Sequence, residues 1–125
     1  MSSSAVIGDQ LFHYHIKGDL ATSGKQGIRM PFAGKITFVT AAVVTAPTGS
    51  TAIFDLHKNG VTMYTTQGNR PTIAIAGTYV TAALPDITTW AAGDVLQLEV
   101  DQIGSGTDGA DLSVVVGYYG SPATA

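Results

Sequence analysis

A chain of 125 residues makes one domain and leaves no room for a second core of useful size. Hydrophobic residues are 45% of it and charged residues only 12%, about half the ~25% usual for a globular domain, which excludes a disordered acidic or basic tail. The net charge is −3 and the six Lys and Arg are scattered singly, so the clustered cationic footprint of a nucleic-acid binder is missing.

Composition also sets the class. There are 11 Val, nine Ile and 16 Thr against seven Leu and a single Glu, Glu99. β-Branched residues lose χ1 freedom in a helix and sit well on a pleated surface, and the alanines never show a sustained 3.6-residue period. The expectation is an all-β domain. With no Cys, disulfides and thiolate metal sites are excluded. No apolar run approaches the ~20 residues that span a bilayer. The stretch Met1 to Asp9 lacks the charged and apolar regions of a secretory signal. The chain reads as soluble, complete and made where it folds, with no membrane partner.

Residues 1–9 are expected to form a flexible arm in which Val6 and Ile7 give a partner something apolar to bury. Residues 10–17 alternate Phe12, Tyr14 and Ile16 with His13 and His15, which is the period of a strand. His13 and His15 share a face, but zinc needs three or four ligands, and the remaining histidine, His57, belongs to another strand. The two read as polar residues on an outer or inter-subunit face, where their protonation would tune subunit contacts. Gly18 to Lys25 resembles a phosphate loop, yet five residues separate Gly18 from Gly24 instead of four, and Gln26 stands where a Ser or Thr would hold magnesium.

A short strand at 26–32 ends near Pro31, and the longest, 35–46, places Ile36, Phe38, Ala42 and Val44 on one face. Strands at 51–58 and 61–66 flank Lys58-Asn59-Gly60, where Asn-Gly satisfies the two positive φ angles of a type I′ hairpin. A short piece at 72–75 and a strand at 78–84 follow. Trp90 is expected to plug one end of the core rather than to stack on a sugar. Residues 94–102 alternate Leu96, Leu98 and Val100 inward with Gln97, Glu99 and Asp101 outward.

Gly104-x-Gly106-x-x-Gly109 copies the dinucleotide-binding fingerprint, but the strand at 110–119 comes next where a helix should face the pyrophosphate. It reads as a hairpin loop. Asp101, Asp108 and Asp111 bracket that loop and fall short of the six to eight oxygens that calcium takes, so turn-forming and solubilising roles are assigned. Tyr118 and Tyr119 point to opposite faces, which leaves one of them outside or at an interface. Residues 120–125 are expected to form a flexible tail.

About eight strands within 10–119, with turn signals every 8–12 residues, imply a two-sheet antiparallel β-sandwich. A jelly roll is the favoured topology and an immunoglobulin-like sandwich the alternative. No nucleophile elbow, carboxylate pair or other catalytic constellation is present, so no catalytic residue, cofactor or metal is assigned and the chain reads as non-enzymatic. The candidate interaction residues are Val6, Ile7, His13, His15, Tyr118 and Tyr119.

Several segments carry a resemblance when read in order. They are Gly27 to Ile36, the stretch from Ala46-Pro-Thr-Gly49 to Lys58-Asn-Gly60, Gln67-Gly-Asn-Arg-Pro71, and Ala92-Gly-Asp94 through Gly106. Together they resemble a domain that recurs in tailed-bacteriophage structural proteins, over roughly residues 10–119. The resemblance implies a jelly-roll or lectin-like sandwich that often trimerises, found in capsid decoration (cement) proteins and in tail-tip or fibre proteins. Because the domain fills the chain, it looks most like a decoration protein. Its implied partners are further copies of itself in a homotrimer and the major capsid protein, at three-fold or quasi-three-fold positions. The implied location is the capsid surface of a virion assembled in the host cytoplasm. The alternative implied by the same resemblance is a tail-associated receptor-binding module that contacts host surface glycans. No catalytic residue is implied.

Overall fold

The computed structural model describes residues 10–121. Among them the chain forms ten strand segments: β1 (Gln10–Asp19), β2 (Lys25–Arg29), β3 (Ala33–Thr45), β4 (Ala52–Lys58), β5 (Val61–Thr62), β6 (Thr72–Ile73), β7 (Tyr79–Ala82), β8 (Thr89–Trp90), β9 (Val95–Gln102) and β10 (Ala110–Ser121). A 3-10 turn at Gln67–Asn69 is the one helical element among the described residues. None of the described helical structure is long and apolar enough to cross a membrane.

Two antiparallel five-stranded sheets pack face to face. The β1 sheet runs β1-β10-β3-β7 with β8 also on β3; the β2 sheet runs β2-β9-β4-β5 with β6 also on β4. The chain crosses between layers at each of its first three connections, returns once in the β4–β5 hairpin, and crosses again before β7, β9 and β10. Counting β5 with β6 and β7 with β8 as two interrupted strands gives the eight strands of a jelly roll. An immunoglobulin-like order, with consecutive strands paired in one sheet, does not fit.

Local chemistry explains the elements. Asn59 and Gly60 take φ of 53° and 87°, the pair of positive angles that a type I′ turn imposes. In β9 and β10 the alternation is as expected: Leu96, Leu98, Val100, Leu112, Val114 and Val116 are all buried. Tyr14 spans the two layers, its hydroxyl donating to the Leu96 carbonyl at 2.7 Å. Burial pushes that phenol's pKa well above its usual value, because the charged form would be poorly solvated. Trp90 is 4% exposed and closes one end of the core, as its placement predicts. Its indole N–H donates to the Phe32 carbonyl at 2.9 Å, and its ring meets Phe12 and Tyr118 with centroids 6.0 and 5.4 Å apart.

Strand β3 departs from its expected face. Gly117 of β10 pairs with Phe38 but Tyr118 pairs with Ile36, so Thr37 is an extra residue, a β-bulge that reverses the alternation. Ile36 points into the core; beyond the bulge Val39, Ala41 and Val43 do, while Phe38, Ala42 and Val44 point outward. Val44 is 76% exposed. Gly117 makes this arrangement possible, since a Cβ there would occupy the space of the Phe38 ring.

The 104–109 loop is likewise not a hairpin, because β9 and β10 belong to different sheets. It is stitched to the turn at Thr48, whose carbonyl accepts from Gly106 N–H at 2.8 Å and whose hydroxyl accepts from Thr107 N–H at 2.7 Å. Gly104 has no room for a side chain against Thr48 and Thr107. Strand β10 continues to Ser121, with Gly120 opposite Gly34, two residues past the expected domain end.

Candidate functional site

The sandwich offers two broad outer surfaces of opposite character. On the β1 sheet, cross-strand register aligns the outward residues into rows: Leu11, Gly117 and Phe38; then His13, Val115, Thr40 and Thr81; then His15, Ser113, Ala42 and Tyr79. Val44 and Tyr119 extend the face at opposite ends. Leu11, Val44, Tyr79 and Tyr119 are 61, 76, 60 and 50% exposed, respectively. No carboxylate lies in these three rows; the formal charges nearby are Lys17, Asp19 and Asp111 beyond the His15 row and Lys35 at the start of β3. His15 Nδ1 sits 3.3 Å from the Ser113 hydroxyl.

The outer face of the β2 sheet is charged and largely satisfied within itself. Register sets Lys25 beside Glu99 and Asp55, and Gly27 beside Gln97, His57 and Thr62. Asp55 is a buried carboxylate, 3% exposed. One of its oxygens accepts from Leu56 N–H and from the Thr62 hydroxyl, both at 2.8 Å. The other lies 3.4 Å from the Gln67 amide and 3.3 Å from His57 Nε2. His57 Nδ1 then faces the Glu99 carboxylate at 3.6 Å and has no hydrogen-bond partner among the described residues. Arg70 and Asp101 pair at 2.8 Å.

This cluster holds a hairpin together. Asp55 is occupied by structural donors from β4, β5 and the 3-10 turn, and the imidazole lies between two carboxylates. The Tyr64 phenol below is pushed up by its burial and further by the Asp55 charge. Among the described residues, no group of three or more His, Asp or Glu could hold a metal ion. His57 is on the β2 sheet and the other two histidines are on the β1 sheet, so a three-histidine set does not assemble. The three aspartates around the 104–109 loop also diverge: Asp101 pairs with Arg70, and Asp111 accepts from Gly18 N–H at 2.8 Å.

Of the six candidate interaction residues, the structure places His13 and His15 on the outer β1 face with Tyr119 at its end. Tyr118 turns inward to the aromatic end of the core at 9% exposure, so Tyr119 is the outward member of the pair. Val6 and Ile7 lie outside the described residues. Sequence reading grouped Phe38, Ala42 and Val44 with Ile36; the bulge at Thr37 turns Ile36 into the core and leaves the other three on the outer face, where Tyr79 of β7 joins them. It also gave Asp55 no role, although a lone acid within the apolar run Ala52-Ile-Phe-Asp-Leu56 was a visible signal.

No protein-family model and no curated protein matches this chain. Solved structures do. A chain of the capsid asymmetric unit of cyanophage Pam1 matches with a TM-score of 0.56 at 15% identity, over 97% of this chain and 92% of that one. The acid-stable capsid structure of Helicobacter pylori bacteriophage KHP30 contains a chain that matches with a TM-score of 0.48 at 18% identity, over 92% of this chain and 94% of that one. The catalytic unit of a thermostable GH87 alpha-1,3-glucanase from Streptomyces thermodiastaticus gives a TM-score of 0.46 at 14% identity, over 94% of this chain but 27% of that chain. At such identities the likeness is one of fold, and one fold hosts many functions.

Proposed function

We propose that this protein is a non-enzymatic structural component of a bacteriophage virion, and specifically a capsid decoration or cement protein. The observation that supports this reading most is the shared fold with the Pam1 capsid chain, because it spans nearly the whole of both molecules. A second support is the outer β1 face, which is weakly charged and rich in exposed apolar groups. Interface cores are depleted of charge and enriched in aromatic residues, and Tyr79, Phe38 and Tyr119 lie on this face.

In this reading three copies associate through that face, with His13, His15 and Tyr119 among the contacts. The trimer sits on the outer shell at three-fold or quasi-three-fold positions and bridges neighbouring major capsid proteins. Three repeated weak contacts give avidity, and binding that favours the closed shell stabilises it by mass action.

The test is addition of the purified protein to capsids prepared without it. Saturable binding with a raised disruption temperature is expected. Capsids unchanged at saturation overturn the reading. Retention on host polysaccharide, lost on Tyr79→Ala or Tyr119→Ala, would favour a tail-associated glycan-binding module instead.

A further inference from the structure

Strand β1 is the outermost strand of its sheet, and an edge strand presents unpaired backbone groups on which another chain can add. In an antiparallel ladder the N–H and C=O of one residue point the same way and those of its neighbours the opposite way. His15 directs both of its backbone groups away from β10. Its N–H donates to Gln26 Oε1 at 3.0 Å, and its carbonyl accepts from Gln26 Nε2. Gln26 belongs to β2, the edge of the opposite sheet.

A carboxamide carries the same donor and acceptor as a peptide group. Gln26 therefore makes with His15 the two-bond bridge that a residue of an incoming strand would make. Beyond that point the chain closes on itself, with Gly18 N–H on Asp111 and Leu20 N–H on the Gly109 carbonyl. We propose that Gln26 is a guard of the β1 edge, filling with its side chain, at His15, two of the hydrogen-bonding positions through which a second copy of this chain would add a strand.

The protected strand is suited to pairing with its own kind. From Leu11 to Lys17 it carries no carboxylate, and Leu11, Phe12, Tyr14 and Ile16 are apolar or aromatic groups of the type that stabilise cross-strand pairs. The inference stands apart from the proposed function, since it concerns what the edge excludes whatever the protein decorates.

Two variants test it. Gln26→Thr keeps a strand-favouring residue in β2 but cannot reach His15. Gln26→Glu keeps the shape and the bond from His15 N–H, sets an oxygen against the His15 carbonyl, and adds a charge to the edge. Sedimentation velocity over a hundredfold range of concentration should show Gln26→Thr growing beyond the wild-type assembly while Gln26→Glu does not. At low concentration, hydrogen exchange at the His15 amide should be at least tenfold faster in Gln26→Thr than in the wild type. The proposal is overturned if Gln26→Thr sediments like the wild type throughout. It is also overturned if both variants grow alike, which would make lost stability the cause. Should Gln26→Thr not fold, the wild type decides: a His15 amide that exchanges as fast as an open edge amide shows that no guard exists.

Discussion

The two outer faces of the sandwich are built from the same kind of backbone and differ in how their side chains are satisfied. On the β2 sheet, Asp55, His57, Glu99, Arg70 and Asp101 find partners within the face or beside it. Covering that face with another protein would desolvate charges already paired, a cost that the new contacts must first offset. On the β1 sheet, Val115, Phe38, Ala42 and Val44 have no polar side-chain group to desolvate on leaving water. Association is therefore least costly on the β1 face, and charge count alone, already low in this chain, matters less than where the charges sit.

Substitutions on the two faces should have distinct consequences. The largest effect is expected from Trp90→Ala, which opens the aromatic end shared by both sheets and strands the Phe32 carbonyl; thermal or urea unfolding should show a loss of about 3–5 kcal/mol. Asp55→Ala should cost about 2–3 kcal/mol, because the Thr62 hydroxyl, Leu56 N–H and Gln67 amide lose a charged acceptor. Its signature is local: faster amide exchange in the hairpin at Asn59 and Gly60, with self-association unchanged. Arg70→Ala removes an ion pair at the surface and should cost no more than about 1 kcal/mol, less in high salt.

Acidity gives the smallest and most distributed effect. Asp86 is held below the usual carboxylate range by the Thr65 hydroxyl and the Thr66 N–H, and Asp94 by the Ala91 N–H and the Asn59 amide. A carboxylate depressed by folding stabilises the native state above its unfolded pKa of about 3.9, and this contribution disappears as pH falls through the lower folded value. Asp94→Asn should therefore flatten the acid limb of stability against pH. Tyr14 and Tyr64 act in the opposite sense. Their raised phenols leave stability intact below the unfolded value of about 10, and it declines as pH rises beyond that. Tyr64→Phe should flatten the alkaline limb. Neither change should alter association through the β1 face.

Much of this architecture was legible in the residues. Strands β9 and β10 follow a clean period of two, Asn59-Gly60 announces its turn, and Trp90 is too large and apolar to be left in water. What was not legible depends on contacts distant in sequence. The reversal in β3 exists because Gly117, nearly eighty positions on, leaves space for the Phe38 ring. Strand β8 is two residues long and exists only as a pairing with Gly34 and Lys35, so no periodicity could reveal it. The 104–109 glycines looked like a hairpin because sequence does not say that the chain changes sheet there. The bridge from Gln26 to His15 likewise needs the two sheet edges side by side before it has any meaning.

The central claim, that copies associate through the outer β1 face and not through the β2 face, is tested most directly by comparing two substitutions at matched central positions, Val115→Glu and Gln97→Lys, in sedimentation equilibrium. An unpaired charge buried at an interface costs several kcal/mol, so Val115→Glu should weaken self-association by about a hundredfold or more while its melting curve stays close to that of the wild type. Gln97→Lys should assemble as the wild type does. A wild type that remains monomeric at every concentration, or an assembly that survives Val115→Glu and dissolves with Gln97→Lys, would contradict the account.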